Sequence, residues 1–330
     1  MATHSQWGQV GNTPLLLLRQ LSHLTGCHIW GKAEYLNPGG SVKDRAARGM
    51  ITAAEQSGSL QPGGRIVEGT AGNTGIGLAH LGVERGYQVS IFMPNNQANE
   101  KVELLRALGV DLHLVAPCPF RDSAHFYHQA RQFAETHPGS VWMDQFENPA
   151  NAQIHYETTG PEIFQACPQI DFLTLASGTG GTIGGTSHFL KQQNPNIRVV
   201  LADPQGSALF RFVREGELKA EGSSITEGIG ISRLTANFKR AVIDDALQIQ
   251  DRDLIDMLFF VAQNEGLFLG TSSALNLCAA WQLGLAHRGS GKNIVTVLCD
   301  SGTRYASKLL NKDWLNQNGF NPNPGRIAET

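Results

Sequence analysis

Cysteine is scarce in this 330-residue chain. Cys27, Cys118, Cys167, Cys278 and Cys299 are the only five, and none forms a C-x-x-C pair. An odd, scattered set excludes a disulfide framework and fits reduced thiols in a reducing compartment. Ordinary buried roles are expected for them, with Cys278 and Cys299 in apolar runs. No apolar run approaches the ~20 residues that a membrane helix needs. The opening Met-Ala-Thr-His-Ser-Gln-Trp lacks a charged region leading into an apolar stretch, so no signal peptide is expected. The expectation is a cytoplasmic chain with no membrane partner. Single-sign charge is missing too. The net charge is -3, with no basic stripe to bind nucleic acid and no charge block to form an interaction tail. The 11 histidines contain no H-E-x-x-H. His125 and His128 could share a helix face but lack a third ligand, so no metal is expected. No G-x-S-x-G nucleophile elbow occurs.

What is present is a globular composition, 41% hydrophobic and 17% charged, in a chain long enough for a large core in two domains. Apolar, β-branched runs read as strands at Arg65–Val67, Gln88–Met93, Asp111–Val115, Ser140–Met143, Asp171–Ala176, Arg198–Ala202 and Ile294–Cys299. Amphipathic stretches lie between them. Ala47, Met50, Ile51 and Ala54 follow helical spacing, and Val102, Leu105, Arg106 and Gly109 do so less regularly. Alternating strand and helix implies parallel sheets covered on both faces. The alternation restarts near Asp171 after an irregular stretch from Phe146 to Thr159, which predicts two α/β domains with a cleft between them. Ligands in such sheets bind beyond the carboxyl ends of strands.

Four segments at such ends could carry chemistry. In Asn37-Pro38-Gly39-Gly40-Ser41-Val42-Lys43-Asp44-Arg45, Ser41 suits an N-cap and Asp44 resembles the acid of a capping box. Lys43 then falls in the first helical turn, where the helix dipole favours a neutral amine by ~0.3–1 kcal/mol. A neutral amine is what Schiff-base chemistry requires; a solvated surface lysine is the alternative. Glu68-Gly69-Thr70-Ala71-Gly72-Asn73-Thr74 joins a strand to a helix. Its amides, with Thr70, Asn73 and Thr74, could hold a carboxylate, or it is an ordinary tight turn. Ser177-Gly178-Thr179-Gly180-Gly181-Thr182 could wrap a phosphate. Its Gly178-x-Gly180 also opens a dinucleotide fingerprint, with Asp203 placed for a ribose, but Ile183 occupies the third glycine slot and no Walker lysine follows. In Leu298-Cys299-Asp300-Ser301-Gly302, a hydroxyl could reach a neutral ring nitrogen, with Asp300 the competing contact to a protonated one. Ser-Gly after a strand is otherwise just a turn.

In this order, the four segments resemble the cysteine synthase (O-acetylserine sulfhydrylase) branch of fold-type II pyridoxal-phosphate enzymes, from Gly11-Asn12-Thr13-Pro14-Leu15 to about Leu315. The resemblance implies a tryptophan synthase β-like fold: two open, twisted parallel-sheet α/β domains with the active site in the cleft. It implies a smaller domain over 45–150, a larger phosphate-binding domain of 1–44 plus 151–315, and a loose tail over 316–330. It implies pyridoxal 5'-phosphate as a Schiff base on Lys43. Gly178, Thr179, Gly180, Gly181 and Thr182 would hold the phosphate, Asn73 would sit near the ring hydroxyl and Ser301 would face the pyridine nitrogen. Thr70, Ala71, Gly72, Asn73, Thr74 and Gln145 would hold the substrate carboxylate. Gly228, in Glu227-Gly228-Ile229-Gly230, would line the site from the other domain.

The implied reaction is β-replacement on O-acetyl-L-serine by sulfide, through an aminoacrylate, to give L-cysteine. The implied assembly is a homodimer. Two departures bear on substrate identity. Ala71 replaces the usual serine of Thr-Ser-Gly-Asn, removing a donor worth ~1.5–3 kcal/mol to a charged group. Gly270-Thr271-Ser272-Ser273-Ala274-Leu275 lacks the glycine that usually follows the paired serines. β-Elimination, as in a cysteine desulfhydrase, and use of O-phosphoserine, with Arg233 as its contact, are the alternatives within the family. An NAD-dependent dehydrogenase using Gly178 and Asp203 is the alternative outside it.

Overall fold

A computed structural model describes residues 5–329. The first four residues, part of the stretch read above for a signal peptide, lie outside the described residues. Ten strands form two sheets. They are β1 Leu15–Leu17, β2 His28–Ala33, β3 Arg65–Gly69, β4 Gln88–Pro94, β5 Asp111–Val115, β6 Ser140–Trp142, β7 Phe172–Ala176, β8 Arg198–Pro204, β9 Asp245–Ile249 and β10 Asn293–Leu298. The larger sheet runs β1-β2-β10-β7-β8-β9 and the smaller β5-β4-β3-β6. Every pairing is parallel except that of β1 with β2.

Parallel strands covered on both faces must be apolar along their whole length rather than in alternation. β4 and β8 show this: after their first residue, every position is buried. The helix Thr271–Ala286 is apolar nearly all round, as a helix between core layers must be, and it packs with β10 under the larger sheet. The helix Lys43–Gln56 buries Ala47, Met50, Ile51 and Ala54, the face that its spacing predicts. Gly109, grouped above with the face of the next amphipathic stretch, lies past the end of Asn99–Ala107 with φ +71, where glycine is free of strain.

Strands β1, β2 and β9 are absent from the sequence reading. β2 is central, yet its sequence includes Lys32, whose ammonium is buried and pairs with Glu162 at 2.6 Å. A charge that is satisfied only in three dimensions hides the strand. β9 reads Asp-Ala-Leu-Gln-Ile at a sheet edge, and β1 has only three residues. The loose tail expected over 316–330 is a correction. Ile327 is 1% exposed within the larger core, and Arg326 binds Asp253 and Asp256, the latter at 2.9 Å. Phe320 packs against the same core and the Asn323 amide donates to Asp256 at 2.7 Å, so a few contacts dock an otherwise polar Asn-, Pro- and Gly-rich stretch. Among the described residues, no helix is long and apolar enough to cross a membrane.

Candidate active site

The loops that leave β3, β7 and β10 at their carboxyl ends converge on a cavity of about 200 Å³ between the two sheets. Lys43 opens on to it. The Pro38-Gly39-Gly40 turn brings the chain to the helix that begins at Lys43, with Gly40 at φ +78. Ser41 Oγ accepts from the Lys43 amide at 3.2 Å, which serves as a cap. Asp44 does not return to Ser41 as a capping box would; its carboxylate accepts from the Gly39 amide and fixes the turn. Burial pulls the Lys43 amine below its usual range, and the nearby carboxylates of Asp300 and Glu34 only partly restore it. Desolvation by burial is the main influence that draws the amine toward its neutral form. Lys43 has no carboxylate within ion-pair distance among the described residues.

The Gly178–Thr182 loop leads into the 13-residue helix Gly181–Gln193. Its glycines are dictated by packing. A Cβ on Gly178 would fall 2.1 Å from Gly228 O, one on Gly180 2.3 Å from Phe238 N, and one on Gly181 2.0 Å from Asn151 Oδ1. Gly180 also has φ +87. The amides of Gly178, Thr179 and Gly180 donate to no protein acceptor among the described residues. Thr179 Oγ1 is held by Asn151 at 3.0 Å, and Thr182 Oγ1 lies 3.2 Å from Nε2 of the buried His155. Free amides at a helix start, with a hydroxyl on either side, form an anion cup. Gly178, Thr179, Gly180 and Thr182 line the cavity; Gly181 supports them from behind.

Thr70, Ala71, Gly72, Asn73 and Thr74 all line the opposite wall, at the start of the helix Asn73–Glu84. Thr74 donates to Gln145 Oε1 at 2.6 Å, and Gln145 donates to Gly69 O at 2.9 Å. Asn73 Nδ2 donates to Asp300 at 2.6 Å while its Oδ1 accepts from Arg304 at 2.6 Å. That leaves one amide N–H of Asn73 for a ligand. Gly228 lines the cavity against the phosphate-type loop.

Ser301 Oγ accepts from Thr303 N at 3.3 Å at the start of the short turn Gly302–Tyr305, which leaves its O–H free to donate. Ser272, at the start of the helix Thr271–Ala286, is among the hydroxyls that line the cavity and lies beside Cys299. Cys299 lines the cavity too, and burial pushes its thiol up to about 11, so it stays neutral. Asp300 makes no opening on the cavity; it holds Asn73 and Tyr305. Lys101 and Glu227 also line the wall and were not singled out from sequence. Asp203, the residue of the dinucleotide alternative, is buried away from the cavity and accepts from Phe210 N at 2.7 Å. Arg233 pairs with Glu147 at 2.5 Å and stacks over Phe120, Tyr127 and Phe146, so its charge is already committed.

A shielded amine, an anion cup and a carboxylate loop facing each other across two parallel sheets define an enzyme that holds a phosphorylated carbonyl cofactor. The residues fit pyridoxal phosphate: the cup has no room for added side chains and offers free amides, and the amine is poised to be neutral. The family model described as pyridoxal-phosphate dependent enzyme matches residues 7–300. Cysteine synthase 1 of Neurospora crassa is 48% identical over 316 residues, covering 94% of this chain and 84% of that protein. Cysteine synthase 1 of Emericella nidulans is 46% identical, covering 94% and 85%. The crystal structure of an O-acetylserine dependent cystathionine beta-synthase from Helicobacter pylori superposes with a TM-score of 0.84 at 30% identity, covering 93% of this chain and 98% of that one. The chain belongs to the cysteine synthase family of pyridoxal-phosphate dependent enzymes.

Proposed function

We propose that this enzyme makes L-cysteine from O-acetyl-L-serine and sulfide by β-replacement. The observation that carries the reading is the cavity in which Lys43, the Gly178–Thr182 cup and the Thr70–Thr74 loop face one another. Lys43 would hold the cofactor covalently, and as a free amine it would be the base placed to take the amino acid's α-proton. A desolvated amine suits both tasks. The amides of Gly178, Thr179 and Gly180 and the hydroxyls of Thr179 and Thr182 hold the phosphate. Bound pyridoxal phosphate supplies the electron sink for breaking the bonds at Cα and Cβ.

The amides of Thr70–Thr74 and the Gln145 side chain hold the substrate's α-carboxylate, with Ala71 contributing through its backbone alone. The remaining Asn73 N–H reaches the ring hydroxyl. A hydroxyl, that of Ser301 as the resemblance implies or that of Ser272 at the cavity wall, would meet the ring nitrogen; an uncharged donor there suits elimination and addition at Cβ. The Gly228 loop covers the reacting end and excludes water. The commitment of Arg233 to Glu147 disfavours O-phosphoserine as the substrate. A smaller α/β domain over 45–150, a homodimer and a cytoplasmic location complete the reading.

The test is product analysis with purified enzyme, O-acetyl-L-serine and sulfide. Cysteine formed in step with acetate release supports β-replacement. Pyruvate and ammonia in place of cysteine would refute it in favour of elimination.

A further inference from the structure

Of the described residues lining the cavity, Lys43, Lys101 and Glu227 alone bear a formal charge. Lys43 is assigned above; the other two form a pair that spans the cleft. Lys101 lies in the first turn of the helix Asn99–Ala107, which follows β4 of the smaller sheet. Glu227 precedes Gly228, in the segment that leads to β9 of the larger one. Their side chains are 2% and 7% exposed, with Nζ and Oε2 2.7 Å apart.

Each partner has a second function in the wall. The Lys101 stem packs on the carboxylate loop, since a Cβ on Gly72 would fall 2.6 Å from Lys101 Cδ, and its ammonium lies 4.2 Å from the Tyr305 ring centre. Glu227 accepts from Lys308 as well, and from the Ala98 amide at 3.4 Å. One carboxylate therefore gathers groups from both sides of the cleft, one residue away from the Gly228 loop.

We propose that Lys101 and Glu227 are positioning residues: their ion pair seats the Gly228–Ile231 loop against the Thr70–Thr74 loop, so that holding the amino acid's carboxylate and covering the reacting end are one coupled event. This rests on the assignment of Thr70–Thr74 under the proposed function. The pair touches no reacting bond, so its loss weakens the grip on the amino acid and leaves the bond chemistry in place.

The test uses the holoenzyme titrated with O-acetyl-L-serine, and with L-cysteine as a second α-amino acid, followed by the cofactor's absorbance. Lys101→Met and Glu227→Gln should each raise the half-saturating concentration about tenfold, in the range typical of coupling between sites. Saturated turnover should stay within about twofold, the pattern of lost ground-state grip. The resting spectrum and the cofactor content should not change, which separates the effect from general damage. The double variant should match the single ones rather than multiply them, because the three share one interaction. Lys101→Arg should restore most of the affinity.

Removing one partner of a buried pair can itself unfold a protein. If a single variant does not fold, the uncharged double and Lys101→Arg decide the matter. Unchanged half-saturation, additive effects in the double, or equal loss of cofactor would overturn the proposal. If the wild type responds and the variants match it, only this proposal fails. If the wild type responds to neither amino acid, the functional reading fails with it.

Discussion

Alanine at Gly180 should separate two costs that usually come together. Gly180 has φ +87, and a Cβ there would sit 2.3 Å from Phe238 N and 2.5 Å from Phe238 Cα. Gly216 ends the helix Leu209–Glu215 with φ +77, and a Cβ there would meet nothing within 4 Å. Gly216→Ala should therefore cost only the left-handed strain, ~1–2 kcal/mol. Gly180→Ala adds a backbone clash that no rotamer relieves. Overpacking adds a further ~1–3 kcal/mol, for a total of about 2–5 kcal/mol. The clash also moves the loop whose free amides form the anion cup. Urea unfolding of the cofactor-free proteins measures the stability difference, and equilibrium dialysis against pyridoxal phosphate measures the cup. Gly180→Ala should be the less stable variant and should lose cofactor affinity, whereas Gly216→Ala should bind cofactor as the wild type does. Equal stability in the two variants, or undiminished cofactor binding by Gly180→Ala, would refute the packing argument for the loop.

Further expectations concern the two serines and a buried acid. Ser301→Ala should shift the cofactor's absorbance and slow turnover if its free O–H meets the ring nitrogen, with Ser272→Ala leaving the spectrum unchanged. The reverse result would move that role to Ser272. Glu68 is sealed beneath Gln145, and burial pushes its carboxyl up to about 8. Its folded pKa exceeds the ~4.3 expected unfolded, so its contribution to stability is full below pH ~4.3 and fades as pH rises to about 8. Glu68→Gln should flatten that part of the stability–pH curve and match the wild type most closely near its acid end. Urea midpoints measured across this range check the sign, and an unchanged slope would contradict it.

The loops were legible because their job is written in composition. Gly-Thr-Gly-Gly-Thr and Thr-Ala-Gly-Asn-Thr at strand ends leave few alternatives to a site that uses backbone donors. Which of two serines faces the ring was not legible. Ser272 and Ser301 both sit next to strand or helix ends, and Ser301 accepts from Thr303 N while keeping an O–H to donate, so local pattern does not separate them. Lys101 and its pairing with Glu227 were not legible because a pair joined across 126 residues leaves no local pattern. Lys32 concealed β2 in the same way, since its partner Glu162 lies on a distant helix. The tail looked loose because its large apolar residues, Phe320 and Ile327, are scattered through an Asn-, Pro- and Gly-rich stretch.

The account turns most directly on which lysine carries the cofactor. Borohydride reduction of the holoenzyme followed by peptide mass mapping reads this out. The added mass of the reduced cofactor should appear on the peptide containing Lys43, and Lys43→Ala should yield a protein that gains none. The modification on Lys101, Lys32 or any other lysine, or an unmodified protein after reduction, would contradict the account.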